Sequence, residues 1–224
     1  MLYTLQQVKD NIRNREGKRV FYLGKADQLT SEARDYLTRQ RIEILPGQMA
    51  KKDRYRLLGG GYIEEKPEHM THLNGEFLVE KTHPRIQFRG AVDLLEAELL
   101  LAISQLPHWR EELGQVLELA RALIACDVLE KEVPEMKLGG LDEEQLRNRS
   151  HFPQEYYGLP HFMPQATDKK EVLLLNRLRS LTRQTELKAV AAFPDRRDIV
   201  QALNRISSFL YILMLQEKGK IIKS

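Results

Sequence analysis

Residues 171–214 read EVLLLNRLRSLTRQTELKAVAAFPDRRDIVQALNRISSFLYILM, two long helical stretches joined at Phe193-Pro194-Asp195. In the first, Arg179, Arg183 and Glu186 fall at i, i+4 and i+7, so two guanidinium groups and a carboxylate share one helix face. Leu174, Leu175, Leu178, Leu181 and Val190 supply its apolar side. The second stretch is apolar almost all round, through Ile199, Val200, Ala202, Leu203, Ile206, Phe209, Leu210, Ile212 and Leu213, the pattern of a helix in the middle of a bundle. Asn204, Ser208 and Tyr211 nevertheless share one of its faces. An unpaired buried amide costs about 1–3 kcal/mol, so a polar group must face Asn204. That group is either Arg183 or Glu186 of the neighbouring helix, or a ligand.

The pattern upstream extends the bundle. A helix beginning near Pro84 is expected to carry Leu94, Leu95, Ala97, Leu99, Leu100, Leu101 and Ile103 into the core. Arg89 and Asp93 stand four residues apart on it, which as an intrahelical pair contributes about 0.3–0.5 kcal/mol. Pro107 opens a further helix, from Trp109 to about Lys131, with Leu113, Val116, Leu117, Ala120, Leu123 and Ile124 at helical spacing and Trp109 at the edge of the core. The expected architecture is an all-α bundle of four or five helices over residues 70–224, preceded by a small α+β piece.

That piece covers residues 1–46: a helix from Leu5 to Arg13, a strand over Arg19–Leu23, a helix capped by Thr30 and a strand at Ile42–Ile44. It reads as a packing or oligomerisation appendage. Residues 47–69, with Gly47, Lys51, Lys52, Arg54, Arg56, Gly59, Gly60, Gly61 and Pro67, lack hydrophobic periodicity and read as a linker or mobile loop. Their glycines and lysines do not have the spacing of a phosphate-binding P-loop.

Between the helical stretches, residues 133–166 break into prolines, glycines and aromatics, a length of loop that is usually functional. His151, Phe152, Tyr156, Tyr157, His161 and Phe162 either wall an apolar ligand pocket or pack over the end of the bundle. Thr71 offers a hydroxyl and Lys81 a compact cation suited to phosphate oxygens, although Lys81 reads equally as a solvated surface charge.

With 35 basic and 32 acidic residues the chain carries a formal charge of only +3, and no basic run interleaved with aromatics points to nucleic acid. No apolar run reaches the ~18 residues of a membrane span, and the amino terminus lacks a signal-peptide pattern, so a cytosolic protein is expected. The single cysteine, Cys126, lies in an apolar run and reads as a small buried hydrophobe.

Three blocks of this sequence resemble the ATP:cob(I)alamin adenosyltransferases, and among them the ethanolamine-utilisation type, a relative of the propanediol-utilisation type. One is Leu175–Val190 with Arg179, Arg183 and Glu186, followed by Ala202-Leu203-Asn204-Arg205-Ile206-Ser207-Ser208. Another runs from Met70-Thr71-His72-Leu73 through Lys81 and Pro84-Arg85-Ile86 to Phe88-Arg89-Gly90-Ala91-Val92-Asp93, and a shorter one is His161-Phe162-Met163-Pro164. The blocks occur in the family's order.

The resemblance implies transfer of the 5′-deoxyadenosyl group of ATP to cob(I)alamin, with release of triphosphate. It implies an ATP site of Thr71, Lys81, Arg179, Arg183, Glu186 and Asn204, with Mg²⁺ accompanying the nucleotide. It also implies that Asp93 pairs across a subunit boundary with an arginine of the Arg179/Arg183 stripe, in a homo-oligomeric trimer or dimer, so that Arg183, Arg179 and Asp93 form the catalytic set. Phe162 is the nearest match to the phenylalanine that approaches the lower face of cobalt in the relatives, and His161, Tyr156 and Tyr157 would complete the corrinoid wall. Gln165 and Ala166 stand where the relatives have glycines. Some members bear a thiolate-rich metal site near residues 47–69; with no cysteine before Cys126, this chain matches the subclass without a transition metal. A reductase supplying electrons to cob(II)alamin is the further partner implied, in the cytosol or beside a bacterial microcompartment. A corrinoid-delivery protein without chemistry would keep the aromatic wall but not require the arginine stripe.

Overall fold

The computed structural model describes residues 1–15, 18–47, 55–75 and 77–222. Two compact units divide the chain: residues 1–55 with 62–65, and residues 56–61 with 66–224. The division falls inside the stretch expected to be a linker. Part of that stretch is strand, at Tyr55–Leu57 and Tyr62–Ile63, whereas Lys51, Lys52 and Arg54 lie outside the described residues.

In the first unit, helix α1 (Leu5–Asp10) starts at a capping box in which Thr4 and Gln7 satisfy each other's backbone donors. It stops three residues short of the expected Arg13, because the Asn11 side chain takes up the Gln7 carbonyl at 2.6 Å and Arg13 enters a strand. Helix α2 (Ser31–Arg39) is capped by Thr30, as its sequence suggests. The strand Lys18–Leu23 is central, antiparallel to Arg13–Arg15 and parallel to Glu43–Pro46. Val8, Phe21, Leu29, Ala33, Leu37 and Ile42 form its core.

Among the described residues the second unit contains six α-helices: α3 (Pro84–Gln105), α4 (Arg110–Leu129), α5 (Glu143–His151), α6 (Pro153–Tyr157), α7 (Lys170–Ala192) and α8 (Arg197–Ile222). The four long ones match the expected bundle. Packing runs in the order α4, α3, α7, α8, with α5 laid against α8. Phe88, Val92, Leu95, Leu99 and Ala102 of α3 recur every three or four residues, and all are buried. Leu94, Leu100 and Leu101, expected in the core, are about half exposed because they fall outside that stripe; Val190 of α7 is exposed for the same reason. Helix α8 is the axis of the unit, with Leu210 through Leu215 buried without interruption. None of the described helices is long and apolar enough to cross a membrane.

The stretch 133–166 is more ordered than its prolines and glycines suggest. Asp142 and Gln145 form a second capping box that starts α5, and Gly158 ends α6 in the left-handed conformation. Before them, Gly139 and Gly140 turn a tight hairpin between Leu138 and Leu141. A Cβ on Gly139 would come within 2.7 Å of the Phe209 ring, and the backbone there has a positive φ, so a side chain would be strained and would push the ring aside. Trp109 is inside the core rather than at its edge, because its indole N–H donates at 2.6 Å to the buried Glu217 carboxylate.

A hairpin of Met70–Asn74 and Phe77–Glu80 precedes α3. Arg89 does not pair with Asp93. Its Nε and that of Arg85 each donate at 2.6 Å to Asp127 of α4, whose carboxylate is completely buried. Further donors are used as well: Arg85 Nη2 donates to the Asp127 carbonyl and Arg89 Nη2 to the Leu73 carbonyl, at 2.8 and 2.7 Å. One buried carboxylate thus ties α3, α4 and the hairpin together.

Candidate functional site

Helices α7 and α8 lie side by side, and α5 covers α8 farther along. Thr182 and Thr185 on the buried side of α7 return their hydroxyls to the carbonyls of Leu178 and Leu181, at 2.9 and 3.0 Å, so no polar group is stranded there. The polar side of the same helix opens into a cavity of about 750 Å³. Asn176, Arg179 and Arg183 line it from α7, and Asn204, Arg205, Ser207, Ser208 and Tyr211 from α8. Arg147, Ser150 and His151 of α5 and the segment His161–Pro164 complete it.

Four arginines and no carboxylate stand among these lining residues. Arg179 is half-buried; desolvation, then repulsion from Arg183, hold its pKa below the ordinary guanidinium value, and Tyr211 partly opposes this. Its guanidinium carbon sits 5.4 Å from the centre of the Tyr211 ring. Among the described residues no carboxylate pairs with Arg179 or Arg183. Arg205 gives Nη1 to Asn204 Oδ1 at 2.9 Å, while its buried Nε has no partner.

Asn204 has a partner on the neighbouring helix: its Nδ2 donates to Glu186 Oε1 at 3.2 Å. Glu186 and Asn204 also line a second cavity, of about 440 Å³, with Phe193, Pro194, Arg197 and Val200. Asn204 therefore belongs to both cavities.

The aromatic wall is divided. His161 and Phe162 line the larger cavity, stacked on Tyr211 with ring centroids 5.9 Å away in each case. His161 Nε2 lies 3.1 Å from the His151 carbonyl, which can only accept, so that nitrogen carries the proton. Nδ1 is then an acceptor and takes the Tyr211 hydroxyl at 3.3 Å. Both ring nitrogens are thus engaged within the protein. Lys218 lies over the Phe162 ring at 5.4 Å and pairs with Asp168, fastening the far end of the segment. Tyr156 and Tyr157 do not line the cavity. Tyr156 is exposed under Arg149, and Tyr157 packs against the core, where burial raises its phenol pKa and Arg149 partly offsets the rise.

Thr71, Lys81 and Asp93 likewise do not line the cavity. Thr71 is half-buried on its strand, Lys81 is 3.5 Å from the exposed Glu68, and Asp93 is exposed on α3. The residues that sequence reasoning passed over are Arg147, Asn176 and Tyr211. Only Tyr211 left a signal, by sharing the face of Asn204; the other two are polar helix positions like many others.

The helical unit has the fold of the corrinoid adenosyltransferases. Two variants of a PduO-type ATP:corrinoid adenosyltransferase from Lactobacillus reuteri, solved with cobalamin and ATP, superpose with TM-scores of 0.51 and 0.52. Each alignment covers 77% of this chain and 90% or 93% of theirs, at 14% and 13% identity. The model of the family described as Cobalamin adenosyltransferase matches residues 61–217, and the chain belongs to that family. It is 32% identical over 165 residues to the corrinoid adenosyltransferase EutT of Salmonella typhimurium, covering 70% of this chain and 62% of that protein. To EutT of Escherichia coli it is 32% identical over 160 residues, covering 68% and 60%. The chain thus spans about six tenths of the length of these relatives.

Proposed function

We propose that this protein transfers the 5′-deoxyadenosyl group of ATP to cob(I)alamin. The observation that carries the reading is the cavity with four arginines and no lining carboxylate, which suits a polyanion, placed against the His161–Pro164 segment. Cob(I)alamin is itself the nucleophile. Its cobalt electron pair attacks C5′ as the C5′–O bond breaks, and that bonding pair leaves with triphosphate. No side chain has to attack, so the chain supplies orientation, charge and exclusion of water.

Arg179 and Arg183 offset the charge that grows on the leaving triphosphate. Glu186 and Asn204, already hydrogen-bonded to each other, present their remaining polar atoms to the adenosine. Phe162 keeps the lower axial side of cobalt dry, which favours a four-coordinate state that is easier to reduce. Thr71, Lys81 and Asp93 do not line the arginine cavity of their own chain, which supports a site completed by a second copy of the chain. A trimer or dimer would also cover Leu94, Leu100, Leu101 and Leu187, which are half or more exposed on α3 and α7. Arginines do not ligate cations, so Mg²⁺ would rest on phosphate oxygens and its own waters, supplying further charge neutralisation. Independence from zinc and iron is proposed from the lone Cys126. The similarity to EutT supports a role in ethanolamine utilisation, in the cytosol or beside a microcompartment, with a separate reductase delivering electrons.

The deciding experiment incubates the protein with ATP, Mg²⁺ and chemically reduced cobalamin and follows the visible spectrum, in which adenosylcobalamin should appear. Cobalamin binding without ATP binding by titration calorimetry, and without product, would instead indicate a corrinoid-delivery protein.

A further inference from the structure

Tyr211 is buried on α8, yet it touches both halves of the cavity. Its hydroxyl accepts the Phe162 backbone N–H at 3.2 Å and donates to His161 Nδ1 at 3.3 Å. One donor and two acceptor lone pairs are what a phenol has, so this hydroxyl uses its donor and one lone pair on two successive residues of one segment. The ring meanwhile lies 5.9 Å from the rings of His161 and Phe162, nearly parallel to the first at 12° and to the second at 28°. At 5.4 Å from the same ring is the Arg179 guanidinium of α7.

From this geometry we infer that Tyr211 is a positioning residue that sets the aromatic segment and the triphosphate arginine in one fixed relation, the hydroxyl holding Phe162 and the ring holding Arg179. The two jobs belong to different atoms of one side chain. The hydroxyl fixes the backbone of Phe162, and with it the height of that ring over the cavity. The ring face gives Arg179 an apolar, electron-rich seat that leaves its N–H groups free for an anion. His151 extends the arrangement, since its carbonyl fixes the His161 tautomer that accepts the phenol proton. The functional arm rests on the adenosyltransferase reading; the anchoring itself does not.

The two roles are separable by substitution. Tyr211→Phe keeps the ring and removes the hydroxyl, while Tyr211→Leu removes both. By hydrogen exchange, Tyr211→Phe should speed the Phe162 amide by roughly five- to ten-fold, the scale of one lost hydrogen bond. ATP affinity by calorimetry should stay within about two-fold of the parent in that variant. In Tyr211→Leu it should fall by roughly three- to five-fold as well, the scale of one exposed cation–π contact. Magnetic spectra of bound cob(II)alamin with ATP should show less four-coordinate species in both variants. An unchanged Phe162 amide in Tyr211→Phe, or an equal loss of ATP affinity in the two variants, overturns the inference. If either substitution unfolds the protein, His161→Ala removes the acceptor of the phenol proton, together with the ring stacked on Tyr211 and the bond to the His151 carbonyl. It should loosen the Phe162 amide by about two-fold or more, and no change there overturns the inference equally. A parent that does not adenosylate cobalamin would defeat the functional reading, while the exchange result would still judge the anchor.

Discussion

Two arginine pairs with the same four-residue spacing have opposite surroundings in this molecule. Arg85 and Arg89 on α3 close on the buried Asp127 and on two carbonyls, so their donors are turned inward. Arg179 and Arg183 on α7 share their helix face with a cavity, and no described carboxylate pairs with them. The first pair meets an acid of its own protein and ties elements of the fold together; the second meets none among the described residues, and on the function we propose it faces the triphosphate. Charge alone does not separate the two, nor does spacing. What separates them is whether the facing helix presents an acid: α4 presents Asp127, whereas α8 presents Asn204, Arg205, Ser208 and Tyr211.

The comparison is easiest to break at Asp127. Asp127→Ala strands two guanidinium groups in a site where the carboxylate was wholly buried, and should cost about 3–5 kcal/mol of stability, seen as a large fall in the denaturation midpoint. A variant of parental stability would mean that Arg85 and Arg89 find solvent, and the contrast with α7 would collapse. Arg183→Ala should do the reverse. It should lose about 2–4 kcal/mol of transition-state stabilisation in kcat/KM while melting and circular dichroism stay close to the parent. Full activity, or loss only through unfolding, would place Arg183 with the structural pair.

Between these extremes lies Asp198, at the start of α8. Arg196 donates to both its oxygens at 2.9 and 2.8 Å, and the Val133 N–H adds a third bond. The Arg196 hydrogen bonds hold the carboxyl down to about 2, against an ordinary value near 3.8. A depressed acid stabilises the folded state fully above the unfolded pKa and loses that contribution as pH falls toward the folded one. The stability is therefore present above about pH 4 and disappears between about pH 4 and 2. With its partial exposure, Asp198→Asn should lose about 1–2 kcal/mol at neutral pH and show a shallower acid transition than the parent. Parallel acid transitions would show that Arg196 is screened. The smallest effect is expected from chelation: dialysis against EDTA followed by return of Mg²⁺ should leave activity unchanged. Activity recovered only by zinc or iron would mean that a metal site exists despite the single cysteine.

Much of the bundle was legible because burial on one face of a helix imposes a 3.6-residue period, and α3, α4 and α7 obey it in their buried residues. The periodicity failed where apolar residues exceed the stripe, as at Leu94, Leu101 and Val190, since an exposed leucine and a buried one look alike in sequence. Helix α6 was hidden by Pro153 and its tyrosines and α5 by the glycines before it and the proline after it, although Asp142 with Gln145 is a readable capping box. Of the candidate site, Arg179, Arg183, Asn204, His161 and Phe162 line one cavity, while Thr71, Lys81, Asp93, Tyr156 and Tyr157 do not.

The sequence by itself determined the helical class, the polar stripe on α7 and the need of Asn204 for a partner, because these follow from spacing along one chain and from the cost of an unpaired amide. Only the tertiary structure decided which acid each arginine meets, which tautomer His161 holds and that one phenol, Tyr211, joins the aromatic segment to Arg179. These depend on contacts between residues 42, 10 and 49 positions apart. No local pattern encodes such contacts, since they arise when helices pack and bring their side chains to one place.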